Sequence, residues 1–96
     1  MVMDAILREK RDEILRVAAS HGASNVRVFG SRARGEGKPG SDLDILVTLE
    51  EHASLLDIVA IKQDLEDLLA CKVDVVTEDA ISPYIREEVV RQAVAL

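Results

Sequence analysis

The first part of the chain carries apolar residues at the spacing of an α-helix. They fall on one face of a helix over residues 3–21, and Gly22 follows as a helix stop. Lys10 and Arg11 interrupt this face, so we expect its middle to be exposed. The face consists of Met3, Ile6, Leu7, Ile14, Val17 and Ala18.

Two further helices are predicted in the second half of the chain. Residues 53–70 have one apolar face, made of Ile58, Ile61, Leu65 and Leu68. Ser82 suits an N-cap and Pro83 the first helical position, so the last helix should run from there nearly to Leu96. Its inward-facing residues are expected to be Ile85, Val89 and Ala93.

Three short segments rich in β-branched residues predict strands at residues 26–29, 43–49 and 73–77. Residues 35–41, between the first two strands, are rich in glycine and predict a loop that is too short for a crossover helix. We therefore expect at least one antiparallel pair. The predicted fold class is α/β (α+β), a small mixed β-sheet covered by helices, in a single domain over residues 1–96.

The pair Gly30-Ser31 follows the first strand directly, and the residues after it have helical character. Glycine allows a sharp bend and leaves room for a ligand, and the N–H groups that open a helical turn can bind an anion. Ser31 adds a hydroxyl donor, and Arg32 and Arg34 add positive charge suited to phosphate. We include Ser41 among these candidate phosphate-binding residues. Taken alone, however, such a segment is more often a plain turn with two solvated arginines.

Three acidic residues follow this turn. Asp42 and Asp44 stand at the head of the second strand, where residues two apart face the same side. Two such charges about 5 Å apart repel each other by roughly 3 kcal/mol at an effective dielectric near 20, a cost that a cation would remove. Asp74 lies among valines in the third strand, where a buried carboxylate needs a partner or a metal. An ion pair with Lys72, Arg27 or another basic residue is the alternative for Asp74, and helix or turn capping after Ser41 is the alternative for Asp42.

Together the turn and the acids predict phosphoryl-type chemistry. Carboxylate oxygens suit Mg²⁺, and two such ions can stabilise both the attacking and the leaving oxygen at phosphorus. The parts favour transfer of a nucleotidyl group from a nucleoside triphosphate, with pyrophosphate leaving. We expect His21 and His52 to be solvated surface residues, so a Zn²⁺ site is not expected. A phosphatase with Asp42 as nucleophile is a weaker alternative, because the chain is too short for the usual fold.

Composition limits the other functions open to the chain. The net charge of −6 argues against binding nucleic acid through its phosphates, and only Phe29 and Tyr84 could stack on bases. The single Cys71 is expected to be a small buried residue in a reducing compartment. No apolar run approaches the length of a membrane span, so a cytoplasmic protein is expected. The small size suggests that a partner completes the substrate site, and a homodimer stays open.

The combined motif resembles the active-site pattern of the DNA polymerase β nucleotidyltransferase superfamily. The pattern is Gly30-Ser31, ten residues, Asp42-Leu43-Asp44, and then Asp74 in a later strand. Over essentially its whole length the chain resembles the minimal nucleotidyltransferases (MNT proteins), which are encoded beside HEPN-domain partners. Further likenesses lie in the strand around Asp74 and in the segment that begins at Ser82-Pro83.

The resemblance implies a role for each motif residue. Gly30 and Ser31 would hold the triphosphate, and Asp42 and Asp44 would ligate two Mg²⁺ ions. Asp74 would bind the catalytic metal and help to activate the attacking hydroxyl. The resemblance also implies an antitoxin with a HEPN ribonuclease as its partner, which some members modify by transferring AMP from ATP to a tyrosine. The alternative is a non-catalytic antitoxin that neutralises the HEPN protein by stoichiometric binding.

Overall fold

The computed structural model describes residues 5–35 and 42–96. Ser41 and most of the predicted loop at residues 35–41 lie outside the described residues. None of the helices in the described part is long and apolar enough to cross a membrane. The elements are α1 (Ala5–Glu9), α2 (Arg11–Ser20), β1 (Ala23–Phe29), β2 (Leu43–Leu49), α3 (Leu55–Leu69), β3 (Val73–Thr77), a 3₁₀ turn (Glu78–Ala80), α4 (Pro83–Gln92) and β4 (Val94–Ala95).

The four strands form one mixed sheet in the order β3-β2-β1-β4. β1 runs antiparallel to both β2 and β4, whereas β2 and β3 are parallel and joined through α3. These directions confirm the predicted mixed sheet. They also place the C-terminal end of β1 beside the N-terminal ends of β2 and β3. The Gly-Ser turn and the three acids therefore meet at the same end of the sheet.

The hydrophobic core lies on one face of the sheet, which α2 and α3 cover. Alternation along β2 explains how the sequence defines this face, because Leu43, Ile45 and Val47 are fully buried in the core. Asp44 lies on the opposite face of the strand, together with Leu46. Each buried leucine, isoleucine or valine contributes about 1.5–3 kcal/mol, so the core strongly fixes the register of β2.

Local signals define both ends of α3. The Ser54 side chain accepts a hydrogen bond from the N–H of Leu56, and the Asp57 side chain accepts one from the N–H of Ser54 at 2.9 Å, completing a capping box. At the other end Ala70 adopts the left-handed conformation with φ of 55°. The helix therefore stops abruptly, and the chain enters β3 three residues later.

The N-terminal helix differs from the prediction, because the structure divides it at Lys10. α1 ends at Glu9 and α2 begins at Arg11, with Leu7 and Ile14 buried on either side of the break. The reason is that Lys10 and Arg11 interrupt the apolar face, so no apolar side chain packs into the core at this point.

The C-terminal segment also differs from the prediction. α4 ends at Gln92, and Val94–Ala95 then pairs with β1 instead of continuing the helix. This pairing satisfies backbone groups of β1 that would otherwise lie at an open edge. The prediction that Ile85 packs inward is wrong, since 54% of it is exposed, whereas Val89 and Ala93 are half-buried.

Candidate active site

Two of the three predicted acids lie directly beside each other. Asp44 of β2 and Asp74 of β3 are register partners in the parallel pair, so they occupy neighbouring positions about 4.8 Å apart across the strands. Residues in register on parallel strands point to the same face of the sheet. Asp42 precedes Asp44 by two residues and is close enough to influence its titration. All three acids therefore belong to one surface at one end of the sheet.

The electrostatics of this surface centre on Asp44. Partial burial raises the pKa of its carboxyl above the ordinary value, and repulsion by Asp74 and Asp42 raises it further. Asp42 and Asp74 are exposed, so the expectation that Asp74 is the buried acid is wrong. Its alternative ion pair with Arg27 is not what the structure shows, because Arg27 lies 3.8 Å from Glu78 instead.

The carboxylates fit a hard divalent cation that keeps other ligands as well. Among the described residues, no three acidic, histidine or cysteine side chains are placed so that they could hold a metal ion together, and this includes Asp42, Asp44 and Asp74. Mg²⁺ commonly takes one or two carboxylates and fills its remaining positions with water and substrate phosphates. A cation beside Asp44 would also counter the repulsion that raises its pKa. The donor set therefore suits Mg²⁺ better than a metal that needs a protein cage.

Gly30 supports Asp44 by leaving space for it. Its φ of +77° is unfavourable for other residues, and a Cβ built at this position would lie 2.5 Å from Asp44 Oδ2. From the sequence, the missing Cβ is expected to leave room for a ligand. The structure shows that the neighbour in question is the Asp44 carboxylate itself, because Phe29, just before the glycine, pairs with Asp44.

The residues after Gly30 form a turn with helix-type hydrogen bonds, although residues 31–35 do not make a regular helix. The N–H of Arg34 donates to the carbonyls of Gly30 and Ser31, at 3.3 and 3.2 Å, and the N–H of Gly35 donates to the carbonyl of Arg32 at 3.4 Å. These two N–H groups are thus used inside the turn. An anion at this turn would depend on Ser31 and on the remaining backbone groups.

The two arginines of the turn have different environments. Arg34 is exposed, whereas only 2% of Arg32 is exposed and its Nη1 donates to Cys71 Sγ at 3.3 Å. Burial rules out a solvated Arg32 and argues against the prediction that it binds phosphate directly. Its contact instead ties the turn to the residues that lead into β3. Cys71 is half-buried and packs against the core, close to what its residue type predicts.

The histidines lie outside the acidic surface, as expected, but only one of them is a solvated residue. His52 is well exposed. His21 Nε2 lies 3.1 Å from Asp64 Oδ2, and its side chain is only 26% exposed. The expectation of a solvated His21 is therefore wrong, because the start of β1 brings it against α3.

Sequence reasoning missed two charged residues beside the acidic surface. Lys62 and Glu66 of α3 both bond to the backbone of Val73, the residue before Asp74. The only signal in the sequence was their spacing of four residues on a helix. That spacing is common on solvated helix faces and gave no reason to connect them with the site.

The chain belongs to the nucleotidyltransferase domain family, which matches residues 8–96. It is accordingly an enzyme of the nucleotidyltransferase type. MJ0435 of Methanocaldococcus jannaschii is 40% identical over 88 residues, which cover 92% of this chain and 95% of the relative. The protein adenylyltransferase MntA of Thermococcus cleftensis is 42% identical over 73 residues, which cover 76% of this chain and 74% of the relative.

Solved structures share the fold and place the chain among the minimal nucleotidyltransferases. A minimal nucleotidyltransferase structure matches with a TM-score of 0.85 and 49% identity, covering 95% of this chain and 93% of the other. A chain from the Shewanella oneidensis complex of a tri-AMPylated HEPN toxin with an MNT antitoxin gives a TM-score of 0.69 at 20% identity, covering 92% and 69%. At this identity the likeness concerns the fold alone. The predicted family and fold class are confirmed.

Proposed function

We propose that the chain is a Mg²⁺-dependent adenylyltransferase that transfers AMP from ATP to a hydroxyl group of a partner protein. The observation that carries the proposal is the pairing of Asp44 with Asp74 across parallel strands, directly beside Gly30. We propose that residues 1–96 form one domain and that the acceptor is a tyrosine of a HEPN toxin.

In this proposal Asp42, Asp44 and Asp74 hold two Mg²⁺ ions, which would neutralise phosphate charge and align the reacting groups. Gly30 and Ser31 receive the triphosphate, with Arg34 and Ser41 as further candidates. Arg32 holds the turn in place from its buried position. Asp44 must be ionised to act as a ligand, and its pKa is raised. As the pH falls, cation binding should therefore weaken at a higher pH than it would at an isolated aspartate.

The proposed step is an in-line displacement at the α-phosphorus of ATP. The acceptor oxygen forms a bond to that phosphorus, and the bond from it to the oxygen bridging to the β-phosphate breaks. Pyrophosphate leaves with the electron pair of the broken bond. The proton of the acceptor hydroxyl passes to the carboxylate of Asp74, which is exposed and therefore accessible to a partner protein.

A HEPN partner is supported by the fold relatives. The similar Shewanella oneidensis structure contains a tri-AMPylated HEPN toxin, and the relative from Thermococcus cleftensis is a protein adenylyltransferase. Asp74 is exposed, so an acceptor presented by a partner protein can reach it. We therefore propose that the partner supplies part of the acceptor site.

The test is intact-mass analysis of the HEPN partner after incubation with the purified chain, Mg²⁺ and each of the four nucleoside triphosphates. We expect one or more added adenylyl groups with ATP. Asp44→Asn and Asp74→Asn should reduce the rate by at least about 100-fold, because each removes several kcal/mol of charge stabilisation. Asp67→Asn, an equal change of charge on the exposed face of α3, should leave it unchanged. An unmodified partner with every nucleotide would refute the proposal.

A second candidate function is neutralisation by binding alone. It is favoured by large apolar side chains that remain exposed near the starts of α3 and α4, namely Leu55, Leu56, Val59, Tyr84 and Ile85. Such side chains are typical of protein interfaces. If masking is the mechanism, Asp42→Asn and Asp74→Asn should still neutralise the toxin, and equimolar amounts should be needed. A catalyst should instead act at substoichiometric amounts.

A further inference from the structure

Within residues 5–35 and 42–96, β3 is the outer strand of the sheet, and one side of its backbone has no neighbouring strand there. The N–H of Leu43 in β2 donates to the carbonyl of Lys72, and backbone groups alternate in direction along a strand. The backbone groups of Asp74 therefore face β2, while those of Val73 face the open side. An unpaired N–H and C=O next to a functional residue would leave the strand poorly fixed.

Two side chains of α3 take the place of the missing strand at this point. Val73 N–H donates to Glu66 Oε2 at 3.0 Å, and Lys62 Nζ donates to the Val73 carbonyl oxygen at 2.9 Å. Lys62 Nζ also donates to Glu66 Oε2 at 2.7 Å, which closes the arrangement. We refer to Lys62 and Glu66 as the edge clamp.

The stability of α3 does not explain why these charges lie where they do. Glu66 is in the last turn of the helix, where the helix dipole disfavours negative charge. A lysine four residues before a glutamate is also the weaker order for an ion pair on a helix. The hydrogen bond from Lys62, followed by that from the Val73 N–H, nevertheless holds the pKa of Glu66 below its ordinary value. The partners that stabilise the charged form thus include the backbone of β3.

We infer that the edge clamp positions Asp74 for the divalent cation, so that Lys62 and Glu66 are positioning residues of the proposed reaction. This inference rests on the proposed function. The Cα atoms of Val73 and Asp74 are linked by one peptide, so a shift of Val73 moves Asp74 with it. Removing a hydrogen-bond partner of a metal-ligating side chain typically lowers metal affinity by roughly 10–100-fold. The edge clamp acts on Asp74 through the backbone of Val73, so we expect an effect at the lower end of this range.

The first measurement tests the hydrogen bonds of the edge clamp in the absence of any reaction. Amide hydrogen exchange of Val73, followed by NMR, should accelerate by about 10-fold or more in Lys62→Met and in Glu66→Gln. In Glu66→Gln the N–H loses its charged acceptor, and in Lys62→Met that acceptor loses its hydrogen bond from Lys62. Lys62→Arg retains a cationic donor and should restore most of the protection. Asp67→Asn, which changes the charge of a neighbouring residue on α3, should leave the exchange of Val73 unchanged.

The second measurement reads the cation site. Binding of Mn²⁺ alone, followed by electron paramagnetic resonance of the free ion, should weaken by about 10-fold in Lys62→Met and recover to within about threefold of wild type in Lys62→Arg. The samples are kept well below their unfolding temperatures, so that a merely structural role would lower stability and leave the affinity unchanged. If Lys62→Met does not fold, Glu66→Gln takes its place with the same expectation.

The outcomes separate the inference from the function on which it rests. Unchanged Mn²⁺ affinity in the clamp variants, with wild-type protein binding Mn²⁺ normally, overturns the inference and leaves the proposed function intact. Wild-type protein that binds no Mn²⁺ overturns the proposed function and the positioning role with it. Weakened binding together with faster exchange of Val73 supports the clamp, even if no adenylyl transfer to the partner is observed.

Discussion

At the scale of single residues, the candidate site depends on the close approach of Gly30 and Asp44. The glycine has a positive φ and faces the Asp44 carboxylate, whose pKa is raised by partial burial and by repulsion from Asp74 and Asp42. Gly30 has no side chain, and this leaves the space that the Asp44 carboxylate occupies. This contact joins the turn to the proposed metal ligands, so the two halves of the motif form one structural unit.

Replacing Gly30 with alanine should damage both folding and activity. The positive φ costs about 1–2 kcal/mol for a residue with a Cβ, and the Cβ would also push against Asp44 Oδ2. We expect the free energy of unfolding to fall by roughly 1–3 kcal/mol and adenylyl transfer to be lost at temperatures where the variant is still folded. Urea denaturation and the partner-labelling assay measure these two effects.

Gly22→Ala is the matched control for this prediction. Gly22 has a similar φ of +74°, but its missing Cβ faces Ala53 and His52, at the opposite end of the sheet from Asp44. It should lose comparable stability while the folded protein keeps its transfer activity. Equal losses of activity in the two variants would contradict a specific role for Gly30.

At the scale of elements, the sequence predicts those parts of the fold whose hydrophobic pattern is complete. β2 and β3 have the predicted bounds because their alternating residues bury one face. The end of α4 could not be predicted, since Val94 and Ala95 leave the helix to pair with β1, a contact distant in sequence. The burial of Arg32 and the contacts of the edge clamp could not be predicted for the same reason. Charged residues have no hydrophobic periodicity, and their partners are distant in sequence.

A prediction at this scale concerns the end of α3. Ala70 is exposed and holds the left-handed conformation at which glycine is usual, with its N–H bonded to the Glu66 carbonyl. Ala70→Gly should therefore raise the free energy of unfolding by about 0.5–1 kcal/mol, measured by urea denaturation. Ala60→Gly, in the middle of the same helix, should lower it by about 1 kcal/mol. The same sign for both changes would contradict the assignment of the cap.

At the scale of the whole molecule, function and stability compete. The chain carries a net charge of −6 and still gathers three acids at one end of its sheet, where none of them helps to build the core. Apolar side chains are also left exposed on α3 and α4. Repulsion among the acids lowers the stability of the isolated domain, and the exposed apolar side chains contribute nothing to it. In the proposed function a cation and a partner protein would make both features favourable. We therefore expect the free protein to be less stable than its liganded state.

Asp44→Asn tests this competition through its pH dependence. The raised pKa means that the folded state holds its proton more tightly than the unfolded state does, so Asp44 lowers stability as pH rises above the unfolded value of 3.8. The variant should thus be more stable than wild type at pH 7, by a margin that solvent screening reduces, with little gain near pH 3. Urea denaturation at the two pH values measures the difference, which added Mg²⁺ should reverse by stabilising only the wild type. If Asp44→Asn raises the free energy of unfolding equally at both pH values, the gain arises from packing of the amide. The Asp44 carboxylate would then carry no electrostatic cost that a cation could relieve.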